Sequence, residues 1–293
     1  MNKREIVELL NEDLRDEHGA IIQYLKHAYA MGEGEMSREI EAIARDEMRH
    51  LDWLAETMVE LGGTPSLERG TMRMDGAQVT DWMENDVLLE KGAITQYKEH
   101  IKLIDSPKIK RLLKRILSDE EAHHGDFEHF VEKAKKESSQ DVTGDHEDKT
   151  IRTLNWGIEH EYTVILQYLL QSYLVVNEEA KEQLQDQAVN EMQHLGWLAE
   201  KLIDIGGTPV IEYTNVDQSP GVADMLEVDI KIEKEVAEAY DRAAKETRDA
   251  GLEKLFLRLR DNEIYHTEVF QDLLKQEEKK QAILMRQSGP RGK

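Results

Sequence analysis

Apolar residues return every three or four positions along almost the whole chain, as in Ile6, Leu9, Leu10, Leu14, Ile21 and Leu25, with strong helix formers between them. A period near 3.6 predicts amphipathic α-helices, and β-branched alternation of the kind a strand needs is almost missing. The pattern breaks at Gly32-Glu33-Gly34, at Gly62-Gly63-Thr64-Pro65 and at Ser106-Pro107, where Ser106 is placed as a helix N-cap and Pro107 as a first helical residue. Four long helices are therefore expected over the first half. Short links join the first to the second and the third to the fourth, whereas about ten to twelve residues separate the second from the third, the pattern of a four-helix bundle with one long crossover.

The pattern is written twice. Asp16-Glu17 through Gln23-Tyr24 matches His160-Glu161 through Gln167-Tyr168 at an offset of 144, and the same offset carries Glu47-Met48-Arg49-His50-Leu51 onto Glu191-Met192-Gln193-His194-Leu195. Gly62-Gly63-Thr64-Pro65 falls on Gly206-Gly207-Thr208-Pro209, after which the offset becomes 143, taking Glu90 to Glu233, Tyr97 to Tyr240 and Glu120-x-x-His123 to Glu263-x-x-His266. A period this long marks a duplicated unit. The expected organisation is all-α: one bundle over residues 1–137, a polar linker over 138–148, a second bundle over 149–278, and a lysine-rich tail over 279–293 whose composition predicts disorder.

Charge and composition narrow the chemistry. The chain has 293 residues, 61 Asp and Glu against 38 Lys and Arg, and a formal charge of −23, which argues against nucleic-acid or anionic-membrane partners and favours cations. The absence of cysteine removes disulfides, thiolate nucleophiles and cysteine-ligated iron–sulfur clusters, so any metal must sit on His, Asp and Glu. Acidic residues appear within the first five positions, where a signal peptide would be apolar, and a cytoplasmic protein is expected. The most apolar stretch, Tyr162 to Val176, contains Gln167 and Gln171 and falls short of the roughly 20 residues that span a bilayer, so a buried helix accounts for it.

Each repeat places one Glu within its first helix (Glu17; Glu161) and one within its third (Glu90; Glu233), with Glu-x-x-His on the second and fourth (Glu47/His50 and Glu120/His123; Glu191/His194 and Glu263/His266). Residues three apart share a helix face, so each Glu-x-x-His presents a carboxylate and an imidazole together. Four carboxylates buried on a bundle axis need compensation, and two divalent cations supply it without residual charge. Oxygen and nitrogen ligands of this kind suit iron or manganese. A single Glu-x-x-His in so glutamate-rich a protein would more simply be a solvated face. The repeat separates the two readings: His18, His27, His100, His124, His129, His146 and His160 have no histidine at the matching position, and the four that do are those in Glu-x-x-His.

These motifs resemble the ferritin-like di-iron carboxylate proteins, and most of all bacterioferritin, in Asp16-Glu17-His18-Gly19-Ala20-Ile21-Ile22-Gln23-Tyr24, Asp46-Glu47-Met48-Arg49-His50 and Asp119-Glu120-Glu121-Ala122-His123. The resemblance covers both repeats and implies terminal ligands at Glu17 and Glu90, bridging carboxylates at Glu47 and Glu120, and one nitrogen ligand per metal from His50 and His123. In the second half it implies the same of Glu161, Glu233, Glu191, Glu263, His194 and His266, giving two di-iron centres per chain. Tyr24, Tyr97, Tyr168 and Tyr240 lie seven residues after the helix-one and helix-three glutamates; they are either core tyrosines or groups that orient a terminal carboxylate or donate an electron. The residue before each Glu-x-x-His is Asp46 and Asp119 in the first half but Asn190 and Asn262 in the second, either by drift or because the two sites differ in affinity or potential. Met48 and Met192 stand where bacterioferritin supplies a haem-ligating methionine; an ordinary methionine contact between bundles is the other reading.

The function the resemblance implies is oxidation of Fe(II) by O2 or H2O2 at these centres, in iron homeostasis or oxidative-stress defence. Other members with this ligand set imply alternatives: a rubrerythrin-like peroxidase drawing on a separate electron donor, a manganese catalase, or a non-catalytic metal-binding or assembly protein. A homo-oligomer stays open, but neither repeat has residues to spare for the short fifth helix that helps close a bacterioferritin cage.

Overall fold

The computed structural model describes residues 1–32, 34–136, 148–175, 177–217, 219 and 221–287, without side chains for Asp148 and from residue 281 onward. Among the described residues there are eight α-helices and no strand: α1 (Lys3–Met31), α2 (Glu35–Leu61), α3 (Val79–Leu103), α4 (Pro107–Ala134), α5 (Asp148–Leu174), α6 (Glu178–Asp204), α7 (Val222–Glu246) and α8 (Ala250–Gln287). None of them is long and apolar enough to cross a membrane. The chain divides into two compact units, Met1–Asp145 with Ile203–Ile211 and His146–Leu202 with Glu212–Lys293. The linker expected over 138–148 lies outside the described residues apart from Asp148, which opens α5.

Local chemistry sets the helix ends. Asn2 caps α1 in a reciprocal box, its side chain accepting from the Glu5 backbone while the Glu5 carboxylate accepts from the Asn2 backbone. Gly62 ends α2 at φ 85°, a left-handed conformation that costs glycine nothing. Pro107 opens α4, where its missing N–H is no loss; Ser106 occupies the N-cap in an extended conformation but makes no side-chain capping bond.

In the first unit α1 pairs with α2 and α3 with α4, and the two hairpins close through α1 on α3 and α2 on α4. Leu10, Leu14, Ile22, Ile40, Leu54, Met58 and Phe127 are fully buried between them, each contributing about 1.5–3 kcal/mol. In the second unit α7 packs on α8. The repeat extends to the core, since Tyr24 meets Phe127 with ring centroids 4.8 Å apart and Tyr168 meets Phe270 at 5.1 Å.

Two expectations about chain length need correction. The crossover runs over residues 62–78 rather than ten to twelve positions, because it lies along α1 as an extended strap instead of turning tightly. Gly70 N–H donates to Arg15 O at 2.6 Å, Arg73 N–H to the Gln23 side chain at 2.5 Å, and Ser66 N–H to the Asn11 side chain at 2.9 Å. A Cβ at Gly70 would stand 2.2 Å from Asp16 Oδ1 and 2.8 Å from its Cα, so only glycine lets the strap approach this closely. The second difference concerns α8, which continues through Gln287 into the segment 279–293 expected to be disordered. Lys279 to Gln287 is built mostly of strong helix formers and needs no break to continue the helix.

Candidate metal centres

On the first bundle's axis, α1 delivers Glu17, α2 Glu47 and His50, α3 Glu90, and α4 Glu120 and His123, all buried. Their ligand atoms form two groups, Glu17/Glu47/His50/Glu120 and Glu47/Glu90/Glu120/His123, each within 4.8 Å of one another. Glu47 and Glu120 belong to both groups, so they are positioned to bridge, while Glu17 and Glu90 each serve one. The second bundle repeats this with Glu161/Glu191/His194/Glu263 and Glu191/Glu233/Glu263/His266, sharing Glu191 and Glu263.

The histidines turn Nδ1 inward. His50 Nδ1 lies 2.8 Å from Glu47 and 2.9 Å from Glu120, and His123 Nδ1 lies 2.9 Å from Glu47. His194 Nδ1 is 2.6 Å from Glu191 and His266 Nδ1 2.7 Å from the other oxygen of that residue. Glu90 Oε2 is buried without a hydrogen-bond partner. Buried carboxylate oxygens are rarely left in that state. Three carboxylates and one imidazole around each position fit a pair of hard divalent cations.

Electrostatics tell the same story in protons. Burial pushes Glu17, Glu90 and Glu120 well above the usual carboxyl range, reinforced by the Glu47 charge beside Glu17 and Glu120 and by Glu120 beside Glu90. Glu47 goes the other way: burial would raise it, but hydrogen bonds from His123 and His50 hold it below its ordinary value. His50 and His123 are raised by their glutamate partners despite burial. In the second bundle burial and Glu263 push Glu233 up to about 7, while hydrogen bonding and charge from His194 outweigh burial to hold Glu161 down to about 2. His266, with Glu191 beside it, is raised to about 12 against burial, and His194 is raised well above its ordinary value.

The four tyrosines are fully buried and reach across the bundle. Tyr24 on α1 donates to Glu90 on α3 at 2.5 Å, and Tyr97 on α3 donates to Glu17 on α1. Tyr168 donates to Glu233 and Tyr240 to Glu161 in the same reciprocal way. Burial and the adjacent carboxylates raise all four hydroxyls well above their ordinary values, keeping them as donors. Outside the first cluster, His50 Nε2 lies 3.3 Å from Asp119 and His123 Nε2 3.5 Å from Asp46. Asn190 instead donates to Gln187 at 3.4 Å. Met48 and Met192 are half-buried, each beside a ligand glutamate.

Sequence reasoning missed a further layer. His27 Nδ1 lies 2.9 Å from both Asp86 oxygens and Gln23 donates to Asp86 at 2.7 Å; His100 Nδ1 lies 2.8 Å from Asp13 and Gln96 donates to Asp13 at 3.0 Å. These are one arrangement seen twice, related by a 73-residue offset that also takes Glu17 to Glu90, Tyr24 to Tyr97, Glu47 to Glu120 and His50 to His123. A search for that shorter period would have found it. In the second bundle only one copy survives, Gln167 and Gln171 donating to Asp229, and burial raises Asp229 to about 8.

A bundle carrying Glu on helices one and three and Glu-x-x-His on helices two and four is the architecture of a ferritin-like protein. The family described as "Ferritin-like domain" matches residues 7–136 and again 151–280. The chain is 32% identical over 127 residues to a bacterioferritin of Desulfovibrio desulfuricans, covering 41% of this chain and 71% of that protein. It is 32% identical over 129 residues to a bacterioferritin of Streptomyces coelicolor (42% and 77%) and 30% identical over 126 residues to bacterioferritin BfrA of Mycobacterium tuberculosis (41% and 79%). The chain belongs to the ferritin-like family, as a tandem bacterioferritin-like protein.

Proposed function

We propose that the chain is a ferroxidase with two centres, each taking two Fe(II) ions as substrate. The observation that carries this reading is the pair of ligand groups in each bundle that share two glutamates, a geometry that holds two cations side by side. Each Fe(II) gives up one electron; O2 accepts two electrons and two protons to become H2O2, or H2O2 accepts two and two protons to become two waters. Glu17, Glu90, Glu161 and Glu233 hold one ion each, kept in place by the tyrosine hydroxyls. Glu47, Glu120, Glu191 and Glu263 hold the pair together, and His50, His123, His194 and His266 complete the sets. Imidazolium and carboxyl protons displaced by the cations leave next to where the oxidant must be protonated. The charge of −23 draws cations toward the protein. Release or storage of Fe(III) follows, in keeping with the bacterioferritin names of the relatives.

The test is metal analysis of the purified protein, with stopped-flow absorbance after Fe(II) is mixed with metal-free protein under O2 and then under H2O2. Four irons per chain, one per ligand group, and oxidation faster than in buffer support the reading, and the faster oxidant separates an oxygen-driven from a peroxide-driven role. Tight binding with no acceleration points to the non-catalytic assembly protein, and bound manganese with peroxide disproportionation to a catalase. Turnover only with an added reductant points to a peroxidase with a separate electron donor. Haem at Met48 and Met192 is not required by the ferroxidase reading, and a haem absorption band in the purified protein would add it.

A further inference from the structure

We propose that the two centres are unequal in access: the first exchanges cations with solvent through an inlet between α1 and α3, while in the second the same route is plugged. The proposal rests on the metal-site reading and concerns how ions reach the sites.

A cavity of about 280 Å³ in the first unit has Glu17, Glu90 and Glu120 at its inner end and Asp13, Asp16 and Gln96 on its wall. One water needs about 10–15 Å³ of such space, so the cavity takes a file of waters or a hydrated cation. It reaches the surface beside Leu88, which is 48% exposed, and Gly92, where an added Cβ would meet nothing within 4 Å. Gln96 holds the wall together by donating to Asp13 at 3.0 Å and to Asp16 at 2.9 Å. Asp13 Oδ2 is buried and has no hydrogen-bond partner. That unsatisfied oxygen gives a cation a resting place one helical turn before Glu17. Arg73 also lines the cavity from the strap, leaving two acids against one base.

The repeat shows what became of each position in the second bundle. Asp13, Asp16 and Gln96 correspond to Gly157, His160 and Ala239, so every wall carboxylate is gone. Ala20 and Ala93 correspond to Val164 and Val236, both buried, so four added methyl groups occupy the matching positions. Glu12 corresponds to Trp156, whose ring stacks on His160 with centroids 5.8 Å apart and meets Tyr240 edge-on at 5.7 Å. A Cβ at Gly157 would stand 2.9 Å from Leu198 Cδ1 and 3.2 Å from Tyr240 Oη, so little room is left where Asp13 projects its carboxylate in the first bundle. The ligand glutamates, histidines and tyrosines are kept while the acidic wall gives way to Gly157, His160 and Ala239, two alanines become valines, and the Trp156 indole stacks on His160.

The test is loading of the metal-free full chain with Co(II), which needs no oxidation and quenches nearby tryptophan. Trp53 lies 5.8 Å from the His50 ring and Trp197 5.5 Å from the His194 ring, so each centre has its own reporter. Silencing one centre at a time with Glu47→Ala/Glu120→Ala or Glu191→Ala/Glu263→Ala isolates the other. The first centre should load at least about tenfold faster, the lower end of what a charged, funnelled cleft adds to an on-rate. Ala20→Val with Ala93→Val should slow the first centre towards the second without changing its Co(II) stoichiometry; the second bundle already tolerates valine at both positions. Trp156→Ala with Val164→Ala should speed the second. Should a silenced chain fail to fold, the otherwise unaltered chain still decides, because loading must be biphasic and the valine pair must abolish the fast phase. Equal loading of the two centres, or a fast phase indifferent to the valine pair, overturns the proposal while leaving the ferroxidase reading standing. Failure of Co(II) to bind either bundle overturns both.

Discussion

Cation binding to the first bundle should release at least two protons. In the metal-free site the neighbouring glutamates raise His50 and His123, favouring the protonated imidazoles, and burial raises Glu17, Glu90 and Glu120 well above the usual carboxyl range. Two divalent ions need four carboxylates and two neutral imidazoles, so between two protons (the imidazolium pair) and five (with three carboxyls) must leave. Linkage then makes the logarithm of the pair-binding constant climb by at least about two per pH unit, or about 2.7 kcal/mol. The sign follows from the raised values: protons held above their ordinary range compete with metal through neutral pH, and affinity rises as they are removed. Calorimetric titration with Co(II) at pH 7, in buffers of different ionisation enthalpy and in the Glu191→Ala/Glu263→Ala chain, counts the protons directly. Release of fewer than about two protons per bundle would refute the charge-balance argument, because the cluster would then have been held together by something other than the protons the metal replaces.

Other outcomes follow from individual contacts. Tyr97→Phe leaves a buried Glu17 oxygen without its donor and should cost about 1–3 kcal/mol in urea titrations of the metal-free chain; no change would show that water takes the hydroxyl's place. Asp229, raised by burial to about 8 from 3.8, is neutral in the folded second bundle, so its contribution is complete in acid and is lost as pH climbs through 8. Asp229→Asn should remove about 2.5 kcal/mol of the stability loss between pH 5 and 7, read from Trp156 and Trp197 fluorescence in a Trp53→Phe/Trp82→Phe background; parallel pH profiles would contradict it. Gly70→Ala should drive the strap off α1, since its Cβ would meet the Asp16 backbone, at about 1–3 kcal/mol, and expose residues 62–78 to protease; unchanged proteolysis would mean the strap relaxes in place.

The candidate cluster was legible because side chains that meet at one point must keep identity and register together: Glu47 and His50 stay three apart, and so do Glu191 and His194, while their surroundings change. The helices were legible from periodicity and the breaks from Gly and Pro. The strap was not, because an extended segment that satisfies its N–H groups on Asn11, Gln23 and a main-chain carbonyl carries no periodicity of its own. The tail's lysines are exposed-helix formers as readily as disordered residues, and α8 runs on through Gln287. For Tyr24 and Tyr97 the spacing left a core role and a carboxylate partner equally open, and the exchange across α1 and α3 depends on how the helices meet, which no single-helix argument supplies. The Asp13 and Asp86 networks escaped notice because histidines were compared only between halves of the chain, whereas His27 matches His100 within one.

The 73-residue period changes what the metal does mechanically. Each hairpin, α1 with α2 or α3 with α4, carries one terminal glutamate, one Glu-x-x-His and one tyrosine, half of everything the site needs. Neither ligand group can be assembled from one hairpin alone, since Glu17/Glu47/His50 needs Glu120 and Glu90/Glu120/His123 needs Glu47. A bound pair of ions is therefore a double cross-link between two otherwise separate hairpins, closing the loop formed by the strap much as a disulfide would. In a chain without cysteine, the ferroxidase reading makes the substrate itself the staple, so that each cycle of filling and emptying would fasten and release the joint between the hairpins.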